Sequence, residues 1–199
     1  MSDQDKEPQY LIQLSPQWAL SKSGDDIKIA SFRGRALLSF LALGASALGS
    51  REQLAALLWS GTASGDGRTN LRQLLSGLNK TLDSDGFLRA SNSAVWLDRS
   101  MLKTHHELAL TALEADFFEP WVAQQLNIGD NALSEFERLG AEFQDWVLNT
   151  RQNLKERVQR ALKAKYLLDT TDVGLRLELA KFSASVSYTH LTLPTKRIV

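Results

Sequence analysis

One predicted helix, over Arg68–Leu82, carries side chains that could contact DNA. Leucines recur along it at spacings of three, four, seven and eleven residues from Leu71, and at about 100° per residue they form one stripe. The opposite face and its flanks carry Thr69, Arg72, Gln73, Ser76, Asn79 and Lys80 and no carboxylate. Such side chains hydrogen-bond phosphates and major-groove base edges. The pattern predicts either a DNA-reading helix or an ordinary amphipathic surface helix.

Groups that could support catalysis or bind metal are few in this sequence. It has no cysteine and three histidines among 199 residues, which excludes disulfides, thiol nucleophiles and cysteine-based metal sites. The adjacent His105 and His106 would point about 100° apart on a helix, so we interpret them as a surface pair. The stretch Ser64–Gly67 lacks the Lys-Ser/Thr ending of a P-loop. We therefore expect no enzyme activity, no cofactor and no metal site.

The formal net charge of zero conceals an uneven distribution along the chain. Ile27–Leu97 has eight basic and four acidic residues, whereas Thr104–Phe182 has nine basic and thirteen acidic residues. This asymmetry predicts two domains with different partners. The polar stretch Met1–Gln9 does not resemble a signal peptide, and the apolar stretch Ala36–Leu48 is too short and interrupted to span a bilayer. We expect a cytoplasmic protein with no membrane association.

Short strands and three helices are predicted in the N-terminal half. In order they are strands at Tyr10–Leu14 and Ile27–Ala30, helices at Phe32–Leu43, Ser50–Trp59 and Arg68–Leu82, and strands at Phe87–Ala90 and Ala94–Leu97. Ser50 and Gln53 have the spacing of a capping box. The Gly-rich stretch Gly61–Gly67 is predicted to be a loop, and Trp96 is expected to supply packing. This order of elements predicts a winged helix-turn-helix over residues 10–98.

Several motifs in this half resemble the DNA-binding domain of the Streptomyces antibiotic regulatory protein family. They are FRGRALLSFLAL, SREQLAALLW, NLRQLLSGLNKTL and FLRAS followed by AVWLD, and they cover about Tyr10–Leu97. Domains of that family are similar to the winged helices of response regulators of the OmpR/PhoB type. The resemblance implies that Arg68–Leu82 is the recognition helix, Ser50–Trp59 the preceding helix and Phe87–Leu97 the wing.

The helix pattern and the resemblance together indicate a set of candidate DNA contacts. For the major groove and adjacent backbone they are Arg68, Thr69, Arg72, Gln73, Ser76 and Lys80; for flanking phosphates Arg33, Arg35 and Arg51; and for the wing Arg89 and Asn92. The family commonly has arginines late in the recognition helix, where this chain has Gly77, Asn79 and Lys80. Fewer cations imply a shallower salt dependence, with binding that is weak or depends on dimer formation.

The C-terminal half is predicted to be helical. Thr104 and Glu107 match a second capping box, and apolar spacing predicts a long helix over Ala132–Leu168 and another over Asp172–Phe182. Antiparallel helix pairs of this kind suggest a tetratricopeptide-like α-solenoid. Three stretches of this half resemble the bacterial transcriptional activator domain that follows the winged helix in the same family. They are DFFEPW, FERLGAEFQDWVLNTRQNLKERV and DVGLRLELAKF. The resemblance implies dimerisation and contacts with the transcription machinery through residues 102–185.

The two ends of the sequence have separate interpretations. Residues 1–9 are predicted to be disordered. Val186–Val199 resembles the in-frame translation of a transposase adapter used in sequencing libraries, and the alternative is a natural strand-like tail. We therefore expect the helical domain to be truncated at about Ser185.

These observations predict a mainly α protein with small β elements, in which a winged helix-turn-helix precedes a tetratricopeptide-like domain. The expected function is sequence-specific transcriptional regulation, as an activator. The expected partners are double-stranded DNA, a second copy of the chain and RNA polymerase. Two alternatives remain open. One is a protein-interaction module with weak or no DNA binding, and the other is the regulatory head of a larger signalling protein or enzyme.

Overall fold

The computed structural model describes residues 8–44, 47–60, 64–82, 86–115, 117–127, 132–167, 181–182 and 184. The fold is mixed α/β with helices predominating and small sheets, which confirms the coarse fold class expected from the sequence. In chain order the elements are β1 (Tyr10–Gln13), β2 (Ala19–Lys22), β3 (Asp25–Asp26), α1 (Phe32–Leu43), β4 (Leu48–Ser50), α2 (Arg51–Leu58), α3 (Ser64–Thr81), β5 (Leu88–Ala90), β6 (Ala94–Leu97), β7 (Leu102–Thr104), α4 (His105–Glu114), α5 (Pro120–Leu126) and α6 (Ala141–Leu167). Arg99–Met101 and Ser134–Leu139 form short 3₁₀ helices.

A four-stranded sheet joins the start of the chain to its middle. Its order is β3-β2-β1-β7, with β1 antiparallel to β2 and parallel to β7. The first residues of the predicted helical half therefore belong to the N-terminal sheet. At the end of β7, Thr104 Oγ1 accepts a hydrogen bond from the Glu107 amide at 3.1 Å, and the Glu107 carboxylate accepts one from the Thr104 amide at 2.8 Å. The predicted capping box is confirmed, and it begins α4.

The second predicted strand is wrong. Ile27–Ala30 has no regular secondary structure, and the residues that pair are those of β2 and β3 instead. Between these strands Ser23 and Gly24 both have positive φ, of 51° and 94°, as a two-residue hairpin turn requires. The turn joins β2 directly to β3, and β3 ends at Asp26. Ile29 therefore lies outside the sheet, although its side chain is buried in the core.

Helices α1, α2 and α3 pack against one another. Helix α1 has the predicted bounds, and Ser50 caps α2 by accepting a hydrogen bond from the Gln53 amide at 3.0 Å. Helix α3 begins at Ser64, so the predicted loop Gly61–Gly67 was too long. Gly67 lies against α2, where an added Cβ would be 3.5 Å from the Cβ of Ala55. A Cβ at that distance would make an ordinary van der Waals contact, so the packing of the start of α3 on α2 does not depend on a glycine at this position.

The second sheet is a three-stranded antiparallel sheet, in the order β4-β6-β5. The two predicted hairpin strands are confirmed, except that β5 begins at Leu88. Val95 and Leu97 are buried, whereas Trp96 is only half-buried because alternate residues of a strand point to opposite faces. Val95 and Leu97, rather than Trp96, therefore provide most of the packing of β6 against the core.

The long helix predicted over Ala132–Leu168 is divided in two. The 3₁₀ helix Ser134–Leu139 is followed by Gly140, and α6 begins at the next residue. Gly140 has a φ of 134°, and a Cβ at this position would collide with Ser60 Oγ. A continuous helix cannot pass through that conformation. Residues 1–7, Leu168, most of Asp172–Phe182 and all of Val186–Val199 lie outside the described residues.

One buried core extends across both halves of the chain. Leucines of α1, α2 and α3 share it with Phe136, Phe143 and Val147 of the helical half. At this seam Arg35 of α1 pairs with Glu135 at 2.7 Å. A second, smaller apolar cluster lies between α4, α5 and α6. The described parts of the two halves are therefore packed together, with contacts from both α1 and α2 to the helical half.

Candidate nucleic-acid interface

Helix α3 separates its side chains as the leucine spacing predicts. Leu71, Leu75 and Leu78 are buried, and Leu74 is half-buried. The six candidate contacts predicted on this helix are all exposed: Arg68, Thr69, Arg72, Gln73, Ser76 and Lys80. Packing against α1 and α2 covers the leucine stripe and leaves the polar face at the surface. Because α3 begins at Ser64, the exposed Asp66 lies on this face seven residues before Gln73, so the expectation of a face without carboxylates is wrong.

Four candidate residues from three elements line one groove. They are Arg51 at the start of α2, Arg68 and Arg72 in the first half of α3, and Asn92 at the tip of the β5–β6 hairpin. We call this the basic groove; its volume is about 490 Å³. The sequence predicted these residues as contacts, and the structure brings them together.

The hairpin tip is fixed against the start of α2. The amide of Arg51 donates to the carbonyl of Ser93 at 2.8 Å, and Arg51 Nε donates to the carbonyl of Ser91 at 2.6 Å. The pairing of β4 with β6 continues this attachment along the strand that leads into α2. One wall of the basic groove is therefore held by a backbone bond and by the side chain of Arg51, which is half-buried.

The basic groove also contains a carboxylate that sequence reasoning missed. Glu52 lines it, with Oε1 lying 3.7 Å from Nη2 of Arg68, and both side chains are well exposed. An exposed ion pair of this length contributes little to stability. Glu52 is acidic in the first turn of α2, a position that the helix dipole favours, so its sequence context suggested only a role in helix stability.

Arg33 belongs to a second, shallower depression. It lies there with Asn70 and Gln73 of α3 and with Trp59, in a volume of about 320 Å³. Arg33 Nε donates to the carbonyl of Leu58 at 2.9 Å, and its guanidinium lies 5.5 Å from the Trp59 ring centroid. Arg33 is thus exposed beside Gln73 but tethered to the end of α2. Asn70 is a further polar residue here that we did not predict.

Two other candidate arginines are engaged within the protein. Arg35 is half-buried, donates to the carbonyl of Ile29 at 3.0 Å and pairs with Glu135, so it holds the seam between the halves. Arg89 is exposed, but Nε donates to the carbonyl of Gly86 at 2.8 Å and Nη2 lies 3.2 Å from the Asp98 carboxylate. The structure does not bring either of them to the basic groove.

The histidine pair is not a surface pair, because His106 is buried. Its Nδ1 lies 3.1 Å from the carbonyl of Gln125 and its Nε2 has no hydrogen-bond partner. Burial lowers the pKa of His106 below its usual value of 6.5; the bond to Gln125 and the charge of Glu107 oppose this shift, and Arg157 reinforces it. In the described part of the chain, no group of three or more His, Cys, Asp or Glu side chains could hold a metal ion.

No family model matches this chain, and no curated protein matches it. Among the described residues, no helix is long and apolar enough to cross a membrane.

Proposed function

We propose that the chain is a sequence-specific DNA-binding transcriptional regulator that acts as an activator. In this proposal residues 10–98 form a winged helix-turn-helix, with α2 and α3 as the helix-turn-helix and the β5–β6 hairpin as the wing. The supporting observation is the convergence of Arg51, Arg68, Arg72 and Asn92 on the basic groove. The exposed guanidinium groups of Arg68 and Arg72 on α3, with Arg51 next to them in the groove, suit contacts to a DNA backbone and to the adjacent base edges.

The helical half is proposed to bind protein partners in the cytoplasm, through a tetratricopeptide-like arrangement that begins with α4 and α5. Phe117 and Trp121 are large apolar side chains that remain well exposed, and their ring centroids lie 6.5 Å apart. Leu148 on α6 is exposed as well. Exposed apolar groups of this kind suit a second copy of the chain or RNA polymerase as partner.

Arg72→Ala tests the DNA-binding part of the proposal. Arg72 is exposed, so the circular dichroism spectrum and the melting temperature should stay unchanged. The affinity for a duplex selected from a random-sequence pool should fall about tenfold, as for the loss of one arginine contact. The measurement is a fluorescence-anisotropy titration at fixed salt. Lys163→Ala, which removes an exposed cation from α6, is the matched control and should bind as the unaltered protein does.

A protein-interaction module with weak or no DNA binding is the second candidate. The observation that favours it is that four candidate arginines make contacts within the chain, which reduces the number of cations available to phosphates; they are Arg33, Arg35, Arg51 and Arg89. A salt titration separates the two candidates. A docking module would show no steep fall of DNA affinity with rising salt, whereas a DNA-binding domain would.

A further inference from the structure

Among the described residues that line the basic groove, Glu52 is the single carboxylate. Its side chain is 84% exposed and lies 3.7 Å from Arg68, whose own side chain is 65% exposed. Arg51 and Arg72 line the same groove, so the negative charge of Glu52 is near them as well. A DNA phosphate that binds to these arginines must therefore approach the Glu52 carboxylate.

The ordinary roles of such a residue are small and stabilising. A carboxylate in the first turn of a helix interacts favourably with the helix dipole, and an exposed ion pair adds little. Both roles predict that removing the charge of Glu52 lowers stability slightly. Neither role predicts any gain in the binding of another molecule.

Resting on the DNA-binding function proposed above, we infer that Glu52 is an internal competitor for the DNA backbone. In the unbound protein its carboxylate lies beside the Arg68 guanidinium, where a phosphate oxygen would bind. Its charge also repels phosphates that approach Arg51 and Arg72. DNA binding exchanges the Glu52 carboxylate for a phosphate at Arg68. The competition lowers the affinity for duplexes of any sequence and leaves discrimination to base contacts.

Glu52→Gln tests this inference because it removes the charge and keeps the size of the side chain. The probe is a random-sequence duplex of fixed length, titrated by fluorescence anisotropy at two salt concentrations. We expect the affinity to rise about three- to tenfold at low salt, as for the loss of one like charge within several ångströms of a phosphate. The gain should shrink at high salt because screening weakens the repulsion.

Glu142→Gln is the matched control, since Glu142 is an exposed carboxylate in the first turn of α6, away from the groove. Like Glu52→Gln, it removes one negative charge from the first turn of a helix, but it should leave the DNA affinity unchanged. In an Arg68→Ala background the gain from Glu52→Gln should shrink, because the competition acts in part at Arg68.

Unchanged or weaker binding by Glu52→Gln would overturn the inference, and so would an equal gain in Glu142→Gln. These failures are distinguishable from failure of the proposed function. If the unaltered protein binds duplex DNA and Arg72→Ala weakens that binding, while Glu52→Gln does not tighten it, only the competitor role is lost. If neither the unaltered protein nor Glu52→Gln shows salt-dependent binding, the DNA-binding function itself is wrong.

Discussion

Arg68 of the basic groove differs in its contacts from Arg35 and Arg151, two arginines that lie outside the groove. Arg68 in the groove is 65% exposed and has a loose partner, Glu52. At the seam between the two halves, Arg35 pairs with Glu135. Within the helical half, Arg151 is 6% exposed, with its guanidinium 2.7 Å from Glu137 and Nε donating to the carbonyl of Ala132 at 2.6 Å. The basic charge of a segment therefore overstates the cations that it can offer to a ligand.

The largest expected effect is at Arg151. Arg151→Ala should lower the free energy of unfolding by about 2 kcal/mol, because it removes a buried guanidinium that pairs with the half-buried Glu137 and leaves the Ala132 carbonyl without its donor. Urea denaturation measures this. Arg160→Ala, at an exposed arginine of the same helix, is the control and should change the unfolding free energy by less than about 0.5 kcal/mol. Similar values for the two variants would remove the distinction between the two kinds of arginine.

A smaller effect is expected at Arg35, which we first interpreted as a phosphate contact. Arg35→Ala should lower the unfolding free energy by about 1 kcal/mol, through loss of the half-buried pair with Glu135. The DNA affinity of the folded protein should stay unchanged. A double-mutant cycle with Glu135→Ala should show coupling between the two side chains. Weaker DNA binding by Arg35→Ala at unchanged stability would instead assign Arg35 to the interface.

A pH titration probes the helical half apart from the groove. His106 has a lowered pKa in the folded state, so as the pH falls below 6.5 the unfolded chain takes up the proton first. Stability should therefore be full above pH 6.5 and decline as the pH falls toward the folded pKa. Urea midpoints between pH 7.5 and 5 measure the decline, and His106→Gln should reduce it. The half-buried His105, whose pKa burial also lowers, should leave a smaller residual slope of the same sign.

Local signals in the sequence predicted the parts of the fold that depend on near neighbours. The leucine stripe of α3 and the capping box at Thr104 involve residues at most a few turns apart, and the structure has them as predicted. At Ser50 the structure has one half of the predicted capping box, the bond from the Gln53 amide to the Ser50 hydroxyl. The role of Arg35 depends on Glu135, one hundred residues away, and no local pattern indicates that pair. The break at Gly140 likewise depends on Ser60.

The candidate site was predictable as a set of residue types but not as an arrangement. Composition and helix periodicity indicated Arg68 and Arg72, and the resemblance added Arg51 and Asn92. The tertiary structure alone shows that these four share one groove with Glu52, because the hairpin tip is attached to α2 by bonds between residues 40 positions apart.

The salt dependence of DNA binding tests the central claim most directly. The affinity of the unaltered protein for a duplex is measured by anisotropy over a series of salt concentrations. We predict that log affinity falls linearly with log salt, and that Arg72→Ala reduces the slope by about one. Arg35→Ala should leave the slope unchanged. A flat dependence for the unaltered protein, or equal slopes for the unaltered protein and Arg72→Ala, would contradict the assignment of the basic groove to DNA.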